Sequence, residues 1–270
     1  MPLNITVESL DREHLGAARW GGTPTDGDTP TVALNIRMVN VDAPEVHYPG
    51  NRKPSRQDAA LAGLLANRPE VFTPQLRDYL SPKLEGNAGT RQMEWGKKSR
   101  DAYDALAKEL LQFDPEKERY RAKVHITIGS EPFDRFQRLL AYVAPMENIA
   151  AKRKTFNLML AEQGWVVNYL IYPNLPKRDD IIKLQKAVAK ARKKELGMWA
   201  DPLLLAGYEF RNLVDTASKK SNGPKRHCAD ISTGRLHLPE DYFTILPENR
   251  LFIDKRDLKK AQTTLGLKWA

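Results

Sequence analysis

Three short stretches of the chain concentrate side chains that do chemistry. Arg37-Met38-Val39-Asn40-Val41-Asp42-Ala43-Pro44-Glu45 reads as a buried strand that carries an arginine and ends in two acids separated by Ala-Pro. Upstream lies the turn Asp26-Gly27-Asp28-Thr29, and far downstream lies Asp134-Arg135-Phe136-Gln137-Arg138-Leu139-Leu140-Ala141-Tyr142. Carboxylates are oxygen ligands for hard cations, and calcium tolerates irregular arrangements of them. Guanidinium groups are planar, permanently charged multiple donors that match phosphate oxygens. Taken singly, each residue has a plainer reading. Asp28 suits an ordinary turn, Arg37 a structural pair with Asp42, Glu45 a surface charge after a proline, and Arg138 a strand edge.

Together the three stretches resemble the staphylococcal-nuclease (thermonuclease) family. Its pattern is an Asp-Gly-Asp-Thr turn, an Arg strand ending in Val-Asp-Thr-Pro-Glu or Val-Asp-Ala-Pro-Glu, and an Asp-x-x-x-Arg-x-Leu-Ala-Tyr-like strand. Further matches are Gln163-Gly164 after a helix, Tyr172-Pro173-Asn174, and a basic helix closing at Leu196-Gly197-Met198-Trp199. The resemblance runs over roughly residues 20 to 202, interrupted by an insertion. It implies an α+β fold: a five-stranded oligonucleotide/oligosaccharide-binding (OB) barrel with packed helices. It also implies a calcium-dependent endonuclease that cuts phosphodiester bonds of single-stranded DNA and RNA at the 5′-oxygen, leaving 3′-phosphate ends.

The family's chemistry makes sense of the residue types. A phosphodiester is a poor electrophile because its negative oxygens repel a nucleophile, and a hard cation relieves that repulsion. The resemblance implies Asp28 and Asp42 as carboxylate ligands of the cation and the backbone carbonyl of Ala43 as a third, with magnesium or manganese as alternatives to calcium. It implies Glu45 as general base for the attacking water, and Arg37 and Arg138 as grips on phosphate oxygens in the transition state. Arg135 takes the place of a lysine that holds a terminal phosphate. Its neighbour Phe136 replaces a tyrosine, which removes one phosphate hydrogen bond. Tyr172, and with less support from the alignment Tyr169, would stack on bases. A non-catalytic nucleic-acid-binding or scaffolding module of the same fold is the alternative, but such copies usually have eroded catalytic residues and this chain retains them.

One point of geometry bears on the set. Arg37 and Asp42 are five positions apart, so a straight strand would point them to opposite faces. A shared site requires the strand to bend between them, or Asp42 to lie just past its end.

Composition is consistent with such a protein. The 270 residues are 41% hydrophobic and 29% charged, with a formal net charge of +9. A chain of this length buries a core without disulfides, and positive charge either attracts polyanions, nucleic acid first and anionic membrane second, or simply makes a solvated surface. The single cysteine, Cys228, excludes an intrachain disulfide, and with His227 and His237 it makes an incomplete metal set, so it reads as an inert thiol. No apolar run is long enough to span a bilayer, and the first residues lack the pattern of a secretory signal. Cytoplasmic residence and export with a leader removed both remain open.

The elements that must position these residues follow from periodicity. Residues 4–8 alternate as a strand, Val32 to Val41 reads as one strand after the Asp-Gly turn, and Pro44 ends it. Between Pro49 and Gln92, four prolines and two late glycines mark an insertion, either a structured flap near a site or, as the plainer reading, a peripheral segment, with one short helix over 55–66 opened by Ser55 and Asp58. Helices are predicted over 97–112, 155–163 and 179–196, the last with Ile181, Leu184, Val188 and Ala191 on one stripe. Strands are predicted over 123–128, with Val124, Ile126 and Ile128 on one face, and over 139–143. Met198 and Trp199 are expected to pack back on the core. Past Pro202 the pattern fades, with a polar linker at 219–225 and two strand-like runs around Pro247. The expected organisation is a nuclease domain over 1–205, with the insertion at about 50–92, and an extension over 206–270 that is a candidate for partner binding.

Overall fold

The computed structural model describes residues 18–24, 26–134, 136, 138–149 and 152–270. The strand expected over residues 4–8 lies outside them. The fold is α+β. The described chain forms two compact units, one drawn from residues up to Arg37 with Ile128–Ala141, the other from Met38–Thr127 with Tyr142–Ala270.

The stretch expected as one strand over 32–41 is broken into pieces. β1 (Arg19–Trp20) pairs antiparallel with β2 (Val32–Ala33) across the Asp-Gly turn. β3 (Ile36–Met38) follows, and β4 (Val41–Asp42) resumes after a turn.

The proline-punctuated insertion is helical. It carries α1 (Asp58–Ala62), α2 (Leu64–Asn67) and α3 (Pro74–Leu84). Its prolines start helical turns rather than breaking them: Pro54, Pro69 and Pro74 each stand in a first helical turn, where no amide hydrogen is needed. Leu61, Leu64, Leu76, Leu80 and Leu84 are buried in the main core. The expected peripheral segment is therefore a wall of that core.

The helix expected over 97–112 is α4 (Ala88–Leu110), which begins nine residues earlier. Asp58 supplies the reason. Its carboxylate does not close a capping box with Ser55; it accepts from the α4 amides of Gly89 (2.6 Å) and Thr90 (2.9 Å) and from the Thr90 hydroxyl (2.6 Å). A carboxylate there satisfies orphan amides and opposes the helix dipole.

A small hairpin, β5 (Phe113–Asp114) with β6 (Arg119–Tyr120), precedes β7 (Val124–Phe133) and β8 (Leu139–Pro145). β3, β8 and β7 form a three-stranded sheet in that order. Ile126 and Ile128, expected on one face of the strand, are half exposed. α5 (Phe156–Glu162) is capped by Thr155, whose hydroxyl accepts from Leu158 N at 3.2 Å. Short strands β9 (Val167–Asn168) and β10 (Leu170–Ile171) lead to α6 (Arg178–Lys193), which buries Leu184, Val188 and Ala191 as its stripe implies. Met198 is buried and Trp199 packs against the same core.

The chain beyond 202 is as well built as the rest. α7 (Gly207–Ala217) buries Tyr208, Phe210, Leu213 and Val214. β11 (His227–Asp230), β12 (Arg235–His237) and β13 (Arg250–Ile253) follow, then α8 (Leu258–Leu265) and β14 (Lys268–Trp269). The two runs expected around Pro247 are one strand, β13, preceded by helical turns over Pro239–Thr244 and Pro247–Asn249. The sheet order β10-β13-β11-β12-β14 joins this segment to the strand before α6, with β10 parallel to β13. Residues 206–270 thus share one unit with residues 142–205. Among the described residues the sheets are separate and no closed barrel forms.

Candidate functional site

Asp42, Ala43 and Glu45 stand at a corner made by a break in the chain. Between β3 and β4, Asn40 adopts a left-handed conformation with φ of 61°, which asparagine tolerates better than most residues. The chain turns here between β3 and β4. It is tied down from three sides: Asn157 Nδ2 donates to Val39 O (2.8 Å), Tyr169 N donates to Asn40 O (2.9 Å), and Asn40 Nδ2 donates to the Tyr142 hydroxyl. β4 then pairs with β9, Asp42 opposite Val167. The Asp42 side chain is fully buried and that of Glu45 is 21% exposed.

α4 supports the corner from beneath. A Cβ on Gly96 would lie 2.7 Å from Glu45 C and 2.9 Å from Pro44 O, so only glycine lets the helix pack directly on this backbone. Buried Gln92, with its amide oriented to satisfy both groups, accepts from Glu45 N (2.9 Å) and donates to Leu205 O (3.0 Å).

α7 covers the corner. Arg211 Nη2 donates to Asp42 Oδ1 at 3.0 Å, and Nη1 donates to Glu45 Oε1. The guanidinium carbon lies 5.9 Å from the centre of the Tyr169 ring. Burial works to lower the pKa of Arg211, but the charges of Asp42 and Glu45 outweigh it and hold the guanidinium protonated beyond its ordinary range. One turn along α7, Asp215 Oδ1 accepts from the Tyr48 hydroxyl at 2.9 Å. Burial, followed by this carboxylate, pushes the Tyr48 phenol up to about 12.

The other expected site residues are placed as follows. Asp28 is exposed in its turn and accepts from Thr29 Oγ1 at 3.1 Å. Arg37 is half-buried in β3. Arg138 is held by Asp134, through Nε (2.7 Å) and Nη2 (2.6 Å) to Oδ2, while Asp134 Oδ1 accepts from the amides of Phe136 (2.8 Å) and Arg138 (3.0 Å). The Arg138 guanidinium lies 5.4 Å from the Phe136 ring centre. Asp28, Arg37 and Arg138 belong to the first unit; Asp42, Ala43 and Glu45 belong to the second. Arg135 lies outside the described residues.

The two candidate base-stacking tyrosines, Tyr172 and Tyr169, both pack against other side chains. Tyr172 is only 6% exposed, in a cluster with Leu170, Leu251 and Ile253, so no ring face is open to a base. Tyr169 is stacked flat on Tyr208, with centroids 4.9 Å apart and planes at 4°, and its hydroxyl accepts from Arg226 Nη1 at 2.9 Å. Their sequence signal was a motif position, and the partners that bury them come from the segment after 202. Cys228 is fully buried in β11, and burial pushes its thiol up to about 12.

Arg211 is the residue that reading the sequence missed. Its partners lie 169 and 166 positions away. The one local signal was a charge set within an apolar helical stretch, between Phe210 and Leu213-Val214.

The chemistry of this corner bears on the cation that the resemblance implies. Its oxygens are of the right kind, but two carboxylates are engaged by Arg211. A Cβ built on Gly207 would lie 2.3 Å from Ala43 O and 2.6 Å from Asp42 Oδ2, so the α7 backbone is pressed against the same two oxygens. Among the described residues no group of three or more His, Cys, Asp or Glu side chains is arranged to hold a metal ion. With α7 in this position the corner does not fit a divalent cation.

No helix among the described residues is long and apolar enough to cross a membrane. No curated protein matches the chain in sequence. The profile of the staphylococcal nuclease homologue family matches residues 35–201, which spans β3, the Asp42–Glu45 corner, α4 and the basic helix α6. That match covers more than half of the chain, and the chain belongs to the staphylococcal nuclease homologue family.

Proposed function

We propose that the protein is a nuclease that hydrolyses phosphodiester bonds of single-stranded DNA and RNA. The observation that carries the reading is the Asp42-Ala43-Pro44-Glu45 corner. It lies inside the family match, and β9, Gln92 and Gly96 hold it in one conformation. A site on rigid elements is what transition-state chemistry needs. Glu45 is the candidate general base for a water attacking phosphorus. Arg37 and Arg138 are the candidate phosphate grips, stabilising charge that builds on the equatorial oxygens, and Arg135 is a candidate contact to a terminal phosphate. Attack that expels the 5′-oxygen leaves 3′-phosphate ends. Family membership supports an OB-type barrel as scaffold.

Calcium dependence, with magnesium and manganese as alternatives, rests on the family alone, with Asp28, Asp42 and the Ala43 carbonyl as the ligands it implies. Arg211 speaks against a cation at this corner while α7 stays where it is. The same contact favours the second reading, a nucleic-acid-binding module without catalysis.

The two readings separate in one experiment. Labelled single-stranded DNA and RNA are incubated with the protein in calcium, magnesium, manganese and chelator, and binding is followed in parallel by anisotropy. Cutting with 3′-phosphate products supports the nuclease. Salt-sensitive binding with no cutting under any condition establishes the binding module instead.

A further inference from the structure

We propose that Arg211 is the built-in counter-cation of the Asp42–Glu45 pair, and that with α7 docked it keeps a divalent cation out of the corner. The inference rests on the reading of Asp42, Ala43 and Glu45 as the family's acid corner, and it adds a control element carried by the segment after residue 202.

Charge comes first. Two carboxylates close together, one of them fully buried, require positive charge nearby. Arg211 supplies it with both arms of its fork, one on each acid. A guanidinium does not release its proton in a protein. The compensation is therefore permanent while the helix stays docked.

Space comes second. Calcium sits about 2.3–2.6 Å from its oxygen ligands. The ideal Cβ position on Gly207 lies 2.3 Å from Ala43 O and 2.6 Å from Asp42 Oδ2. That point is at calcium distance from both oxygens, yet it is only one carbon–carbon bond, about 1.5 Å, from the Gly207 Cα. Gly207 and Arg211 are four residues apart and so lie on one face of α7. The face that brings the guanidinium to the carboxylates also fills the space beside the carbonyl.

The helix is fastened at both ends. Gln92 bridges Glu45 N to Leu205 O just before α7, and Tyr48, three residues after Glu45, donates to Asp215 one turn beyond Arg211. Every one of these contacts joins the acid corner, or its flanking loop, to the same short segment. A cation and α7 thus compete for the same oxygens, and whatever weakens the Arg211 contacts favours the cation.

The test is calcium titration of the full chain by isothermal calorimetry, with melting curves in calcium and in chelator. Arg211→Gln is expected to bind calcium at least tenfold more tightly than wild type. Its melting temperature should fall below wild type in chelator and recover towards it in calcium, and the gain should vanish in the Arg211→Gln/Asp42→Asn double variant. Arg211→Lys keeps the charge without the fork and should fall between the two; it serves in place of the glutamine variant if that variant does not fold. Equal calcium affinity in wild type and in a folded Arg211 variant overturns the proposal, as does a gain that survives Asp42→Asn. Cleavage is read separately: a variant that gains calcium without cutting sinks the nuclease reading and leaves the role of Arg211 intact.

Discussion

At the level of single residues, the acid corner depends on one left-handed residue and one imported charge. Asn40 turns the chain so that Asp42 points inward, and Arg211 balances the charge that results. Tyr48 links the same loop to α7, which makes α7 docking sensitive to high pH. Its phenol is raised to about 12 by burial and by Asp215. An unfolded tyrosine ionises near 10, so the folded state keeps a proton that the unfolded state has lost. This stabilisation is complete below about pH 10 and is lost as pH rises through about 12. Tyr48→Phe should make the decline of unfolding free energy between pH 10 and 12 shallower by one proton, measured by urea denaturation; an unchanged slope would contradict the assignment. The acids were legible in the sequence because Asp-Ala-Pro-Glu is a contiguous motif. Arg211 was not, because its meaning lies wholly in contacts across the fold, and neither was the burial of Tyr172.

Among the elements, the helices owe their positions to charges placed at a distance. Asp58 begins α4 by capping it from α1. Asp58→Ala should cost about 1–2 kcal/mol and loosen hydrogen-exchange protection in the first turn of α4, with Gln92 and the Glu45 backbone one turn on; protection unchanged in that turn would count against the cap. A second device joins three segments. Glu209 of α7 accepts from Ala206 N (2.8 Å) and from the Tyr79 hydroxyl of α3 (2.8 Å), and it faces Arg250 of β13 at 3.5 Å. Arg250 in turn donates to the Tyr208 hydroxyl (2.7 Å) and Ile245 O (2.9 Å). Both charges are almost fully buried. Removing one partner leaves the other uncompensated, so Glu209→Ala should lose about 3–5 kcal/mol and lower the urea midpoint sharply, whereas a loss under about 1 kcal/mol would mean that the pair is not buried in solution. The helices with a clean apolar stripe, such as α6, could be read from periodicity. The insertion helices could not, because prolines that open a helix resemble prolines that break one, and α7 could not, because alanine at its N-cap gives no start signal.

On the scale of the whole molecule, the insertion and the segment after 202 are integral to the core. Their leucines and aromatics complete the main core, and β13 and β11 extend a sheet that starts from β10. The net charge of +9 supplies the long-range attraction for a polyanion. Neutralising about three phosphates on a single strand should weaken binding about ten- to twentyfold between 50 and 200 mM salt. Anisotropy titrations at the two salt levels measure this, and salt-independent binding would remove the phosphate backbone as the contact. The central claim is that the corner at Asp42–Glu45 does phosphodiester chemistry, and turnover by Glu45→Gln beside wild type tests it most directly. The substitution keeps size and hydrogen bonding while removing the base, so turnover on labelled single-stranded DNA should fall by several orders of magnitude with circular dichroism unchanged. A folded Glu45→Gln protein that cuts as fast as wild type would contradict the account.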